Sequence, residues 1–543
     1  MSHPEVEQLE ARQEQAGPTP EAEVKGSQAT QLVHLAAKAE LFHTPSMEGY
    51  GTVLTGDHCE TWPLKSKPFK HWLRGRFFKE ARLAPSAQAL QDAIGVLESK
   101  ALFEGPKYPV HVRLAEHEGT IHLDLTNEHW EAVRITAQGW EVTAAPPVKF
   151  RRSAGMVPLP TPTKDGKVDS LRRFVNLAPD HPSDWISLVA WMLAALRPRG
   201  PYPVLVLHGE QGSGKSSLVK MLRCLLDPNT SPLRAEPREV RDLMITASNS
   251  WCLTYDNLSR IEPWLSDALC RLATGGGFST RELYADTDEV LFDAQRPVIL
   301  NGIEELATRA DLLDRAILLY LPMIKEENRR DESELWQHFE TERPGILGAL
   351  LTAVSSALKN FDTVKLDRLP RMADFAKWAT AAGEGLGWRP GDFSKAYQTN
   401  RDNANELALE GSIVVPPLRT LMALRTQWSG IATELLRDLK THIDESVKTQ
   451  RSWPKNGKGL SDRLRRIAPN LRAIGIRVTW SYSTDRTHSR LILLEQLGAP
   501  ASTASEPSET PSGHSGQSDA SDSSDARTPL YSSELMEVNL DVD

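Results

Sequence analysis

The stretch "VLVLHGEQGSGKSSLVKMLRCLL" at residues 204–226 decides the fold. Val204 to Leu207 form a short apolar run of the kind a buried parallel strand needs, and the residues after Ser217 set Leu218, Met221, Leu222, Leu225 and Leu226 at helical spacing. The segment reads as strand, loop and helix. Between the two elements lies Gly209-x-x-x-x-Gly214-Lys215-Ser216, a P-loop pattern whose glycines let backbone N–H groups turn toward phosphate oxygens. In such a loop Gly209, Glu210, Gln211, Gly212, Ser213, Gly214, Lys215, Ser216 and Ser217 wrap the phosphates of a nucleotide. Lys215 reaches the β and γ phosphates, the Ser216 hydroxyl holds magnesium, and the helix N-terminus adds a field that favours an anion. ATP and Mg2+ are the expected cofactors.

The segments that follow supply partners for that loop. "SWCLTYDNLS" reads as a strand ending in Asp256, a carboxylate placed to hold the magnesium. "RPVILNG" is a further strand ending at Asn301, at the strand end where open α/β sheets bind ligands, so Asn301 could orient an attacking water. "ATRADLLDRAILLYLP" presents Arg309 and Arg315 beside an apolar strand, and Arg315 is the better candidate for an arginine finger. The catalytic set expected from the sequence is Lys215, Asp256, Asn301 and Arg315, with Ser216 and Asp256 on the metal.

Bulk properties bound the rest of the chain. Its 543 residues are enough for three or four domains. The start, "MSHPEVEQLEARQEQ", lacks a basic-plus-apolar leader, and the longest apolar stretch, "WISLVAWMLAAL" at 185–196, is too short to span a bilayer. The expectation is a cytoplasmic protein with no membrane partner. Cys59, Cys224, Cys252 and Cys270 show no C-x-x-C spacing, which disfavours disulfide scaffolds and zinc sites.

The net charge of −9 is unevenly spread. Residues 498–543 carry nine acidic side chains against Arg527, in a Ser-, Pro- and Asp-rich run that cannot offset its own ordering entropy, so a disordered acidic tail is expected. Residues 411–498 reverse the balance, with 15 Lys plus Arg against 7 Asp plus Glu. There "IATELLRDLKTHI" is helical, "GLSDRLRRIAPNLRAIG" is a basic helix broken near Pro469, and "IRVTWSYSTDRTHSRLILLEQ" reads as two strands. That order predicts a winged helix, with Arg463, Arg465, Arg466 and Arg472 as groove and phosphate contacts and Arg486 and Arg490 on the wing.

The succession "GEQGSGKSS", "WCLTYDN", "LATGGGFSTRELYADTDEVLFDAQRPVILNG" and "DLLDRAILLYLP" resembles the superfamily 3 branch of AAA+ helicases, as found in phage and plasmid primase-helicases. "TIHLDLTNEHWEAVRITAQGWEV" and "VKFRRSAGMVPLPTPTKDG" are similar to the segment upstream of the ATPase in poxvirus-type and phage members. The resemblance implies the P-loop, magnesium-carboxylate, sensor-asparagine and arginine-finger roles for Lys215 with Ser216, Asp256, Asn301 and Arg315. It also implies a homo-oligomer, up to a hexameric ring, in which the finger acts on a neighbouring subunit. Three departures stand out. Asn257 occupies the place of a second acid that polarises water, although Asp286, Asp288, Glu304 or Glu305 could replace that acid in space. The hairpin tip "YADTDE" is acidic where a DNA-tracking hairpin carries positive charge. The 28 residues ahead of the N-terminal module are too few for a primase domain, so the expectation is that a separate primase or replication protein supplies that activity.

The expected layout is multidomain: residues 1–28 disordered, 29–165 an α+β module, 166–329 an α/β P-loop core of AAA+ type, 330–410 a helical lid, 411–497 the basic winged helix, and 498–543 the tail. Within the first module, "KSKPFKHWLRGRFFKEARL" combines seven Lys and Arg with four aromatics, which fits either base stacking or an amphipathic helix burying its rings. His111, His117, His122 and His129 form no metal spacing and read as ordinary strand histidines. The functional expectation is an ATPase working on single-stranded DNA or an origin duplex during mobile-element replication. An ATP-gated DNA-binding switch with slow hydrolysis and a small-molecule kinase are the other two readings.

Overall fold

The computed structural model describes residues 26–276, 278–281, 289–292, 294–302, 310–450, 452–483 and 489–497. The acidic tail, the first 25 residues, the hairpin tip, Asp286, Asp288, Glu304, Glu305, Arg309 and Arg486 therefore lie outside the described residues.

The N-terminal part begins earlier than composition indicates. Helix α1 (Gln28–Leu35) starts behind Ser27, whose hydroxyl accepts a hydrogen bond from the Thr30 N–H. Strands β1 (Glu40–His43), β2 (Gly49–Thr55) and β3 (His58–Pro63) form an antiparallel sheet in that order. Helices α2 (Lys67–Ala81) and α3 (Ala87–Phe103), capped by Ser66 and Ser86, close over it with Leu32, Val53, Leu64, Phe69, Leu73, Phe77 and Leu97 buried between them. The short strands β4 (Val110–His111) and β9 (Lys149–Phe150) pair in parallel. Between them β5 (Leu114–His117), β6 (Thr120–Asp124), β7 (Ala132–Thr136) and β8 (Gly139–Thr143) make an antiparallel meander.

The span 29–165 thus holds two larger sheets with different cores, and the short β4–β9 pair. Leu114, Ile121, Val133 and Ile135 of the meander belong to the large cluster that also contains Leu188, Leu222 and Leu350. The join carries a fully buried ion network: Arg113 Nε lies 3.0 Å from Asp227 Oδ1, and Arg223 Nη1 lies 3.2 Å from Asp227 Oδ2. Asp227 also accepts the Trp251 and Cys252 N–H groups. Burial alone would raise the Asp227 pKa, but Arg223 and Arg113 outweigh it and hold the carboxyl below its ordinary range.

The central layer comprises α4 (Pro182–Ala195), β10 (Val204–His208), α5 (Lys215–Leu226), α6 (Val240–Asn249), β11 (Leu253–Leu258) and α7 (Pro263–Thr274). It continues with the hairpin β12 (Phe278–Arg281) and β13 (Glu289–Phe292), then β14 (Val298–Gly302), α8 (Ala310–Leu313) and β15 (Ala316–Tyr320). Its four-stranded sheet runs β11-β14-β10-β15, every pair parallel. Leu205, Leu207, Ile299 and Ile317 pack on one face, and Val204, Val206, Leu300 and Leu318 on the other. Two-sided burial accounts for the unbroken apolar runs in these strands.

Helices α9 (Glu332–Asn360), α10 (Ala373–Leu386) and α11 (Asp392–Glu410) follow. Phe339, Ile346, Leu350 and Ala379 share the cluster of Leu188 and Trp191, so these helices complete the core instead of standing off it. Asn400 of α11 clips the edge strand: its Nδ2 donates to Leu318 O at 2.6 Å, and its Oδ1 accepts from Leu318 N at 3.1 Å. One side chain thereby replaces a neighbouring strand.

The C-terminal part has α12 (Val415–Ala423), β16 (Gln427–Ile431), α13 (Ala432–Lys440), α14 (Glu445–Lys448), α15 (Gly457–Ala473), β17 (Ile476–Tyr482) and β18 (Arg490–Gln496). Its antiparallel sheet is three-stranded, in the order β16-β18-β17, where the sequence indicates only the hairpin. Helix α15 also runs through Pro469 without ending there. Buried Leu464, Ala468 and Leu471 anchor it on both sides, while Pro469 faces solvent. Among the described residues, no helix is long and apolar enough to cross a membrane.

Candidate nucleotide site and basic face

The parallel register brings the sequence-predicted residues to one edge. Leu207 of β10 aligns with Asn301 of β14, and Tyr255 of β11 aligns with Leu300, so Asp256 and Asn301 emerge where β10 enters the glycine loop. The loop needs its glycines. Gly209 adopts φ +144°, and a Cβ there would stand 2.2 Å from the Leu321 carbonyl oxygen. That close approach is fixed by the Leu321 N–H donating to His208 O at 2.9 Å. Gly212 and Gly214 also have positive φ.

Lys215 opens α5 and curls back into the loop. Its Nζ donates to Gly209 O and Glu210 O, each at 2.7 Å, and to Ser213 Oγ at 3.0 Å. It is 8% exposed, and desolvation pushes its pKa down although the nearby Asp256 carboxylate opposes this. Ser216 Oγ donates to Asp256 Oδ1 at 3.0 Å. Asn301 Nδ2 donates to Ser216 Oγ at 3.2 Å and to Asp256 Oδ1 as well. Asp256 therefore collects two neutral donors on one oxygen, with an ammonium close by.

This donor set fits a divalent cation. Neighbouring ligands on an octahedral Mg2+ with bonds of 2.0–2.1 Å stand about 2.9 Å apart, and the Ser216 hydroxyl and Asp256 carboxylate oxygens are 3.0 Å apart. Asn257, directly after Asp256, is exposed and sits at φ +56°, a left-handed position that asparagine tolerates better than most side chains.

Two features of the site carry no sequence signal. Asn176, in an irregular segment, donates its amide to Ser213 O at 3.0 Å and Pro322 O at 2.6 Å, tying the glycine loop to the exit of β15. His208 packs against Tyr320 with the rings tilted and their centroids 5.5 Å apart; burial first, and the Lys215 charge second, lower its pKa. Both lie on residues whose partners are far away in the chain.

Arg315 is not brought to this edge. Its carbonyl accepts from Val204 N, which places it before β15 at the end of the sheet opposite the loop. The four residue steps from Ala316 to Tyr320 carry the strand about 13 Å away from it. Arg315 Nη1 donates to Asp311 O at 2.8 Å. Within one chain it cannot touch a nucleotide at Lys215.

The predicted basic contacts divide over two faces of α15. At about 100° per residue, Arg465 and Arg472 share a flank, Arg466 lies on the outer side, and Arg463 is rotated by about 160° from Arg465. Arg465 lies over the Trp480 ring at 5.5 Å, and Arg490 lies over Tyr482 at 5.5 Å while donating to its hydroxyl at 2.9 Å. Lys458, Ser461, Asp462, Arg465, Trp480 and Arg490 line a groove of about 300 Å³ between helix and hairpin. Arg463 does not face it.

Two of the four histidines, His111 and His122, behave as structural groups, whereas His129 meets Asp57 and His58 with ligand atoms within 4.8 Å of one another, a grouping that the sequence spacing does not show. Burial holds His111 and His122 down at about 4, so both are neutral at physiological pH. None of the four cysteines is in a disulfide.

Residues 168–403 match the family model described as actinomycete integrative conjugative element replication protein. Residues 414–511 match the model described as the AICE RepA C-terminal domain. No curated protein matches the chain. Among solved structures, the A-form apo structure of the NrS-1 C-terminal region is 13% identical, covers 87% of this chain and 100% of that one, and gives a TM-score of 0.39. Two further apo structures of that region, each 11% identical with the same coverage, give 0.36 and 0.37.

Proposed function

We propose that this mobile-element replication protein is an ATP- and magnesium-dependent P-loop ATPase of AAA+, superfamily 3 type that remodels DNA through its C-terminal winged helix. The observation that carries the reading is the convergence of Lys215, Ser216, Asp256 and Asn301 on the loop edge of a parallel sheet.

In this reading Lys215 exchanges its three loop acceptors for β and γ phosphate oxygens, and the Gly212 to Ser217 backbone holds the phosphates against the α5 N-terminus. Ser216 and Asp256 would hold Mg2+, which when bound neutralises charge on the phosphates. Asn301, buried beside them, turns its amide toward the attacking water. Arg315 acts on the nucleotide of an adjacent subunit, because its own loop lies at the other end of the sheet. The β16–α13–α15–β17–β18 unit presents Arg465, Arg472 and Arg490 to DNA, with Arg466 on the outer side.

The test is steady-state ATP hydrolysis of wild type and Lys215→Ala without nucleic acid, with single strands and with duplex. Hydrolysis stimulated by single strands and lost in the variant supports the motor. ATP binding with a flat, near-zero rate favours the second reading, an ATP-gated DNA-binding switch. Asn257 is the specific observation behind that second reading, since an amide cannot accept the proton of the attacking water.

A further inference from the structure

The N-terminal part carries a charged surface that the ATPase reading leaves unused. Helix α2 buries Phe69, Leu73 and Phe77 in its own small core. Its opposite face repeats at i+4, i+3, i+4 and i+4: Lys67, His71, Arg74, Phe78 and the cap residue Arg82 are all exposed. At 1.5 Å per residue this stripe is about 22 Å long.

Residues 65–83 contain seven Lys and Arg against one acid, Glu80. Of the seven cations only Lys65 is paired, with Glu98 at 2.7 Å; among the described residues none of the other six has a carboxylate partner. A solvated helix face ordinarily intersperses both signs, whereas this one offers a row of unneutralised cations. Within that row Phe78 is 53% exposed, with Arg74 one turn before it and Arg82 one turn after it. Trp72 is partly covered, with Arg76 over its ring at 5.6 Å. An exposed ring set between cations at helical-turn spacing matches what a single strand offers: flat bases between regularly spaced phosphates.

We propose that the exposed face of α2 is a second DNA-binding surface, taking single-stranded DNA with Phe78 stacked on a base and Lys67, Arg74 and Arg82 on flanking phosphates. It is separate from the α15 groove and does not depend on ATP chemistry.

Fluorescence anisotropy of the full chain with a labelled 30-nucleotide oligo(dT) and a labelled 30-base-pair duplex, from 50 to 200 mM salt, tests it. The triple variant Lys67→Glu, Arg74→Glu, Arg82→Glu should weaken oligo(dT) binding at least ten-fold and flatten its log–log salt slope by about 2, from three lost phosphate contacts. Phe78→Ser should weaken oligo(dT) binding about five-fold or more with the slope unchanged, a signature that general misfolding does not give. Arg465→Ala with Arg490→Ala should act chiefly on duplex. If those two leave duplex binding intact, the C-terminal assignment fails while the α2 proposal stands. Oligo(dT) binding by the α2 triple variant with wild-type affinity and slope overturns the α2 proposal. So does binding of a labelled peptide of residues 506–543 that the triple variant abolishes while oligo(dT) binding is retained, since the surface would then belong to the chain's own acidic segment.

Discussion

Replacing Asp256 by Asn should separate the nucleotide site from the fold. Asp256 Oδ1 accepts from Ser216 Oγ at 3.0 Å and from Asn301 Nδ2, both neutral donors. An asparagine with its oxygen turned inward keeps both bonds, so the unfolding free energy should change by less than about 1 kcal/mol. The lost charge acts elsewhere. A unit charge pair about 4 Å apart is worth about 4 kcal/mol at an effective dielectric of 20. Asp256 is only half-buried, and solvent reduces that to about 2 kcal/mol. Two kcal/mol corresponds to roughly a 30-fold change in affinity. Titrating Mg2+ into protein and a fluorescent ATP analogue should therefore move the metal midpoint upward by roughly 30-fold, with the melting temperature nearly constant. Nucleotide binding in EDTA should stay the same or improve, because a negative charge near the phosphates has gone. An unchanged metal midpoint in a folded variant would refute the assignment and leave Asp256 as a strand-end acid that merely hydrogen-bonds Ser216.

Gly209→Ala forces a Cβ to 2.2 Å from Leu321 O at φ +144°; it should abolish nucleotide binding and cost roughly 1–3 kcal/mol in urea unfolding. Asp227→Asn removes the charge between fully buried Arg113 and Arg223 and should cost about 3–5 kcal/mol, a value near zero showing that the network is not electrostatically held. Burial raises Asp184 to about 6, against a smaller opposing pull from His181. The fold therefore favours its protonated form: the charged form is a penalty above pH 6 that fades as pH falls through 6 toward the unfolded value of about 4. Asp184→Asn should thus be more stable than wild type by about 1–2 kcal/mol at pH 7.5 and indistinguishable from it near pH 4, and equal stability at both pH values would refute the assignment.

What the sequence discloses tracks how local the physics is. The strand, glycine loop and helix at 204–226 could be read directly because each is fixed by adjacent residues, and Asp256 and Asn301 because a carboxylate or amide ending an apolar run marks a strand terminus. Asn176 and Tyr320 were hidden, since their roles come from chain segments meeting in space. Strand β16 is not legible in the sequence, because Gln427–Ile431 is short, contains Gly430 and becomes a strand only when paired along Leu491 to Glu495. The break expected at Pro469 reflects local propensity overruled by packing of Leu464 and Leu471. The split of the first module was illegible for a related reason: alternation in β5 to β8 identifies a buried face but not what covers it. That cover comes from residues 182–386, and Arg113 meets its partner Asp227 across 114 positions.

One helix joins the two halves of the proposed machine. Asn400 of α11 holds Leu318 in β15, the strand beside β10, and Arg401 reaches the Leu313 carbonyl and Asp314 just before that strand. Five residues on, about 7.5 Å along the same helix, Asn405 Oδ1 accepts from Asn470 Nδ2 of α15 at 3.0 Å. Helix α15 carries Arg465 and Arg472, so the edge of the nucleotide sheet and the basic helix are two contacts on one rigid rod. The two contacts differ in kind. Asn400 uses both its donor and its acceptor on backbone, whereas the α15 contact joins the Asn405–Asn470 hydrogen bond to apolar packing, with Leu409 of α11 buried in one cluster with Leu464 and Leu471 of α15. A displacement of β15 would therefore carry α11 with it, and α15 through that packing. In either proposed reading, motor or switch, this helix would be the path between nucleotide and DNA. The two would differ in whether α11 shifts when the γ phosphate arrives or when it leaves, so that Asn257, in the place of a second acid, would set the timing along one lever.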